Sequence, residues 1–203
     1  RRDETDRVNS FDQYAQAEWQ SGAWSLTGGL RHSRVAFDIK DKYITGATNG
    51  DDSGDVSFEK TTPMFGVLYR LTPVLNLYAS ASRGFETPTL NEQFYSGAGG
   101  SFNFNLKPAT STHYEGGLKA YFGADSRLDL AIFQINTKDE LVVDDSVGGR
   151  TSYKNAGQTT RRGLELASDS RWAGNLSSRL AYTLLDATYN DAFTTRIFGN
   201  PNA

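Results

Sequence analysis

Leu75-Asn76-Leu77-Tyr78-Ala79-Ser80-Ala81-Ser82-Arg83-Gly84-Phe85-Glu86 opens with strict alternation, Leu75, Leu77, Ala79 and Ala81 on one side and Asn76, Tyr78, Ser80 and Ser82 on the other. A returning arm around residues 113–122 sets Tyr114, Leu118, Ala120 and Phe122 against His113, Glu115 and Lys119. A period of two is the signature of β-strands with one apolar and one wet face. The insert between the arms, rich in Gly and aromatic residues, is too long for a hairpin turn, and loops of that size are usually functional.

The same alternation spreads outward in both directions. Ala15, Ala17 and Trp19 oppose Gln16 and Glu18; after Ser21-Gly22-Ala23, Trp24, Leu26 and Leu30 oppose Ser25, Thr27 and Arg31. The pattern lapses through the Gly- and Asp-rich residues 40–57, then resumes with Pro63, Phe65, Val67, Tyr69 and Leu71 against Met64, Gly66 and Arg70. Thr72-Pro73, Gly123-Ala124-Asp125-Ser126 and Trp172-Ala173-Gly174-Asn175 read as further tight turns. Residues 127–143 carry two competing registers, Leu128, Leu130 and Ile132 against Ala131, Phe133 and Ile135, and residues 151–170 read as one strand. About eight strands result, with every second connection tight and the others longer. That asymmetry suits a transmembrane barrel with short turns at one end and long loops at the other. Antiparallel connectivity puts the tight turns together at one end, the periplasmic one, and the 40–57 and 84–109 loops at the other.

Composition closes off other classes. The 203 residues, 1–203, fit one domain. A net charge of −3 with no Lys/Arg-rich block gives nucleic acid nothing to bind. There is no apolar run of about 18 residues for a membrane helix, so among membrane classes only a β-barrel stays open. Cysteine is absent, which excludes disulfide and thiolate chemistry. The charged start, Arg1-Arg2-Asp3-Glu4-Thr5-Asp6-Arg7, has no apolar stretch behind it that would read as a signal peptide.

Three blocks, Ser82-Arg83-Gly84-Phe85-Glu86-Thr87-Pro88-Thr89-Leu90-Asn91-Glu92, the run from Leu106-Lys107-Pro108 to Glu115-Gly116-Gly117-Leu118-Lys119, and Tyr153-Lys154-Asn155-Ala156-Gly157 through Arg161-Arg162-Gly163-Leu164-Glu165-Leu166, resemble TonB-dependent outer-membrane receptors in content and order. The Arg-Gly-Phe-Glu-Thr-Pro-Thr block, with Asp139-Glu140-Leu141-Val142-Val143-Asp144-Asp145-Ser146 and Gly148-Gly149-Arg150-Thr151, is most similar to the YncD-type receptors, which are associated with uptake of pyrroloquinoline quinone. The resemblance implies an all-β fold: about eight antiparallel strands of a transmembrane barrel of about 22. It also implies a Gram-negative outer-membrane location, lipid around the barrel, and a plug domain that connects through a TonB box to the energy-transducing complex. The small-molecule ligand would be a pyrroloquinoline-quinone-like cofactor or a ferric siderophore. Plug and barrel termini are not in this sequence, so the chain is expected to be a piece of the receptor that does not transport alone. A self-contained eight-stranded barrel with a structural or adhesive role, and a soluble β-sandwich binding module, are the rival readings.

Two residue sets are the candidates for function. Arg83, Phe85, Glu86, Asn91, Phe94 and Tyr95 stand at or beyond the strand end, where aromatics can stack a planar ligand and Arg can clamp a carboxylate; the plainer reading, shared by Phe102 and Phe104, is interfacial and loop packing. Gly97 to Gly100 would let that loop close over something bound. Arg31, Arg70, Glu115, Lys119, Arg161 and Glu165 fall on the polar side of the alternation, facing a lumen or the plug, with pairing among themselves as the plainer role. His32 and His113 lie far apart without cysteine or clustered carboxylates, which argues against a metal site. Asp139-Glu140 and Asp144-Asp145 can imitate paired carboxylates but read as solvated loop tips. Without a Gly-x-Ser-x-Gly elbow or triad motif there is no catalytic site and no cofactor to place.

Overall fold

A computed structural model describes residues 3–46, 50–94, 101–123, 125–147, 150–172, 175–194 and 196–197. Strands β1 (Glu4–Ser21), β2 (Trp24–Asp41), β3 (Gly54–Thr72), β4 (Leu75–Glu86), β5 (Ala109–Phe122) and β6 (Ser126–Lys138) follow in order, with helix α1 (Leu90–Gln93) between β4 and β5. After them come β7 (Leu141–Val147), β8 (Arg150–Asn155), β9 (Gln158–Arg171), β10 (Ser177–Tyr189) and the two-residue β11 (Arg196–Ile197). Eight strands form one antiparallel sheet in the order β1-β2-β3-β4-β5-β6-β9-β10, open at both edges.

Cross-strand partners share a face, so the register sorts every side chain. Trp19, Leu26, Val67, Ala79, Gly116, Ile132, Leu164 and Leu184 follow one another across one face. The two registers read in residues 127–143 resolve here: Leu128, Leu130 and Ile132 join the apolar row, while Ala131, Phe133 and Ile135 turn to the polar face. These apolar side chains have no protein above them: Ile132 is 61 % exposed and Leu30 56 %. A continuous uncovered belt of this kind marks a surface that meets lipid or a partner. The Trp24 and Tyr69 rings meet, tilted at 42°, with centroids 4.5 Å apart in this belt beside the short β1–β2 turn, where an aromatic girdle would meet the membrane interface.

The four tight connections lie at one end and the three long ones at the other. Strands of 18, 18 and 19 residues in β1–β3 exceed the roughly 9–11 that cross a bilayer, so the sheet extends well past the apolar belt at the long-loop end. Three details depart from expectation. Residues 127–143 and 151–170 are each broken: β7 and β8 leave the main sheet as a separate hairpin, with β11 running parallel to β7. The break comes at Asp139, whose φ of 57° belongs to a turn. Leu71 falls in a bulge between Arg70 and Thr72 and drops out of the apolar row.

The third departure is a split. The β3–β4 ladder runs from Thr72–Leu75 to Met64–Ser82 and stops, although β3 stays paired to β2 as far as Gly54–Ile39. The next residue on β3 is Pro63, which has no N–H to give a neighbouring strand. Beyond it β1–β3 and β4–β9 separate.

Candidate functional site

Above the split, the β4–β5 connection folds into a small structure of its own. Thr89 caps α1: its hydroxyl accepts from the Glu92 amide at 3.3 Å, and the Glu92 carboxylate accepts from the Thr89 amide at 2.7 Å. The Thr-x-x-Glu signature of a capping box was visible in the sequence, but the expectation was loop throughout. Gln93 is fully buried, its amide reaching the Pro88 and Thr89 carbonyls at 3.5 and 3.4 Å. Phe102, buried, meets Phe94 edge-on at 5.5 Å and stacks on Phe104 at 5.6 Å. These rings, with Leu90 and Phe85, pack on Val35, Phe37, Ile39, Val56 and Phe58.

That cluster fixes where the loop lies. Val35, Phe37, Ile39, Val56 and Phe58 sit on the polar face of β2–β3 by register, the face that also carries Arg31 and Thr62. Phe85 belongs by alternation to the opposite, apolar face of β4, yet packs on the same cluster. The outer end of β4 has therefore passed to the polar side of β3. A β-carbon on Gly54 would stand 2.7 Å from the Phe104 ring, so the loop rests directly on the β3 backbone.

Asn155 ties this loop to the β7–β8 hairpin. Its side-chain amide donates to the carbonyls of Lys107 (2.8 Å) and Asp139 (2.7 Å), and its side-chain oxygen accepts from the Lys107 amide at 2.8 Å. Asn103 adds a bond from its amide to the Tyr153 carbonyl at 3.3 Å. The hairpin base is held by Glu140, which accepts from both terminal nitrogens of Arg161 and from the Thr159 hydroxyl. The Arg161 hydrogen bonds hold the Glu140 carboxyl below its usual range; burial opposes this and Thr159 assists. A lowered folded-state pKa means the contribution is present at neutral pH and is lost as pH falls through that pKa, below the ordinary glutamate range. Hydrogen exchange in β7 should accordingly speed up on acidification below that range in the complete receptor, and Glu140→Gln should flatten the dependence. A pH profile identical in the variant would remove Glu140 from this role.

Two cavities flank the split, of about 870 Å³ and about 540 Å³, and share Thr62, Arg83 and Gly84. Arg83 thus stands at the centre of the outer end. Glu86 and Asn91 are exposed nearby, while Phe85 and Phe94 are half-buried in the aromatic cluster, their rings engaged by the protein. Tyr95 and the Gly97 to Gly100 run lie outside the described residues. The six polar candidates do share one face, but most have local partners. Arg31 pairs with Asp12 at 2.9 Å, Arg70 donates to the Gly22 carbonyl at 3.3 Å, and Glu115 accepts from the Tyr78 hydroxyl at 2.7 Å. Lys119 lies 5.4 Å from the centre of the Tyr78 ring, and Arg161 is taken by Glu140. Glu165 shares a small cavity with His113 and Glu115. His32 and His113 sit on opposite faces, bonded to Thr61 and Ser111 at 3.0 and 2.7 Å. Asp144 pairs with Lys154 at 2.7 Å. Asn155, Asn103 and the Lys60–Lys138 wall of the smaller cavity were not singled out from sequence. Asn155 stood in the quoted Tyr-Lys-Asn-Ala-Gly block, but nothing local shows that its partners lie 16 and 48 positions away.

An open antiparallel sheet with a continuous uncovered apolar belt, a polar reverse face, tight turns at one end and long loops at the other is part of a transmembrane β-barrel. More particularly, the chain belongs to the TonB dependent receptor-like β-barrel family, whose model matches residues 1–202. It is similar to the metal-pseudopaline receptor CntO of Pseudomonas aeruginosa (strain UCBPP-PA14), with 29 % identity over 170 residues, covering 81 % of this chain and 22 % of that receptor. Among solved structures it matches the siderophore receptor PiuA from Acinetobacter baumannii with a TM-score of 0.75 at 18 % identity, over 98 % of this chain and 28 % of that one. It also matches the FrpB iron transporter from Neisseria meningitidis (F3-3 variant) with a TM-score of 0.67 at 22 % identity, over 90 % of this chain and 26 % of that one. The chain therefore spans about a quarter of the length of these proteins.

Proposed function

We propose that this chain is part of the barrel wall of an outer-membrane receptor that imports a metal chelate, driven through its plug by the TonB complex. The observation that carries the reading is the two-faced sheet itself: an apolar belt for lipid, a polar face for a lumen and plug, and long structured loops at one end to meet a ligand. In this reading Arg31, Arg70, Glu115, Lys119, Arg161 and Glu165 line the lumen. Arg83, Glu86, Asn91 and Tyr95 contribute to the ligand mouth, which Phe85 and Phe94 brace from behind. The names of the relatives, a metal-pseudopaline receptor, a siderophore receptor and an iron transporter, favour a chelated metal as cargo; the YncD-type resemblance of the Arg83 block favours pyrroloquinoline quinone. The work is binding and transport rather than catalysis.

Deleting the complete gene in its host should abolish energy-dependent uptake of one such cargo. Radioactive iron and zinc supplied as chelates from the host's spent medium, and pyrroloquinoline quinone read out by a dependent dehydrogenase, are measured side by side. Restoring the gene should restore uptake, and removing TonB should abolish it again. Uptake of all cargoes unchanged by gene loss, or surviving without TonB, would sink the proposal; rescue confined to the quinone would decide for that cargo over chelates.

A further inference from the structure

On the outward face the apolar belt stops between one row and the next. Ala79, Gly116, Ile132, Leu164 and Leu184 form its last row; two residues further out, about 7 Å along the strands, stand Ala81, Tyr114, Gln134, Arg162 and Asp186. Beyond them on the same face come Thr112, Asn136 and Thr160, then Thr110, Lys138 and Gln158. Two concavities meet at this boundary. The lower, of about 470 Å³, lies over Gly116, where the belt lacks a side chain, between Ala79 and Ile132, with Tyr114, Gln134 and Arg162 along its rim. The upper is the cavity of about 540 Å³ beside the split; Thr112, Asn136 and Lys138 line it, with Lys60 and Arg83 at the split and, among the described residues, no carboxylate. Tyr114 belongs to both. The pair is apolar where lipid chains lie and cationic where headgroups begin, the arrangement by which basic side chains beside a membrane-spanning surface recognise anionic headgroups.

Arg162 is held in place for such a role. Its Nε donates to the Gln134 side-chain oxygen at 3.0 Å, the Gln134 amide donates to the Asn136 side-chain oxygen at 3.1 Å, and the Thr160 hydroxyl donates to that same oxygen at 3.2 Å. With Nε engaged, the two terminal nitrogens are left to face an oxyanion. Asp186 stands opposite Arg162 in register, but among the described residues no ion pair joins them, whereas Arg127, Arg161 and Arg179 are taken by Asp129, Glu140 and Asp169. Gln134, level with Arg162, and Lys138 are four residues apart, about 14 Å along β6, a span for a two-sugar headgroup phosphorylated at either end. Thr112 and Asn136 between them offer neutral partners for sugar hydroxyls.

We propose that the outward face of β5, β6 and β9 seats one phosphorylated glycolipid of the outer leaflet, an acyl chain in the trough over Gly116, its phosphates at Arg162 and Lys138. This rests on the outer-membrane reading of the barrel and is independent of its cargo. The test reads lipid binding without transport, so failure here and failure of uptake are separate results.

The probe is a bisphosphorylated diglucosamine lipid, mixed in rising proportion into zwitterionic nanodiscs that hold the complete receptor. Lysine acetylation rates are followed residue by residue by mass spectrometry. The glycolipid should slow acetylation of Lys138 and leave that of the exposed Lys40, far out on β2, unchanged. Arg162→Gln should raise the proportion needed for half protection about tenfold, the loss of one charge-assisted contact, and Arg162→Lys by less; Asp186→Asn should lower it. Gly116→Leu should weaken protection without touching a charge, and the strand accommodates it, because a β-carbon there meets only the Tyr78 carbonyl oxygen, at an ordinary 3.7 Å. A parallel arm uses the dephosphorylated glycolipid, and another uses inorganic phosphate with no glycolipid present. No protection of Lys138, protection unchanged by Arg162→Gln or by Gly116→Leu, equal protection by the dephosphorylated lipid, or equal protection by inorganic phosphate would each overturn the proposal, the last by assigning the cations to a soluble anion.

Discussion

Gly163→Ala in the complete receptor is expected to lower the urea midpoint of barrel unfolding in lipid vesicles by an amount corresponding to roughly 1–3 kcal/mol, whereas Gly66→Ala should change it by no more than about 0.5 kcal/mol. Both glycines lie in strand interiors, so propensity alone predicts the same sign for each. Their surroundings differ. A β-carbon at Gly163 would run into the Phe133 ring and stand 2.6 Å from the Leu184 carbonyl oxygen, while one at Gly66 meets nothing within 4 Å. Phe133 pairs directly with Gly163 and lies over it, the arrangement by which an aromatic ring shields a strand glycine. Tyr78 does the same at Gly117, its ring 2.7 Å from where a β-carbon would stand. A ring can swing aside but the Leu184 carbonyl belongs to the β9–β10 ladder. The double variant Phe133→Leu with Gly163→Ala should therefore recover only part of the loss. Equal midpoints for Gly163→Ala and Gly66→Ala would refute the packing account.

Asn155→Ala removes three hydrogen bonds at once, each contributing about 1 kcal/mol, and should uncouple the β4–β5 loop from the β7–β8 hairpin. In hydrogen exchange on the complete receptor, the Lys107 amide and its neighbours are expected to exchange some 30- to 100-fold faster, about 2–3 kcal/mol of lost protection. Asn155→Asp separates geometry from mere size. An aspartate still accepts from the Lys107 amide, but its other oxygen would face the carbonyls of Lys107 and Asp139, to which asparagine donates. Aspartate should thus be at least as damaging as alanine. Unchanged exchange at residues 101–108 in either variant would show that the aromatic cluster alone holds the loop.

Period-two alternation is local, and it sufficed to assign the faces of most strands, residues 127–143 with their two competing registers excepted, the rhythm of tight and long connections, and hence a barrel wall. Each residue's side follows from its neighbours' polarity and the pleat, without knowledge of what lies across the ladder. The Arg83, Leu106 and Tyr153 blocks carried the family for a similar reason, being contiguous in sequence. Tertiary structure decided what the outer end does. Phe94, Phe102 and Phe104 read as ligand stackers or, more plainly, as packing residues, and Val35, Phe37, Ile39 and Phe58 take up their rings. Arg161 read as lumen-facing from its place in the alternation; it lies on the polar face of the sheet, where its guanidinium is committed to Glu140, 21 positions away. Pro63 was legible as a proline in a strand, yet its effect depends on which neighbour would have used the missing N–H, and that is a property of sheet order. Lys60, Arg83 and Lys138 stand far apart in sequence with no pattern linking them; they line one cavity because the ladder ends beside Pro63 and the outer end of β4 passes to the polar side of β3.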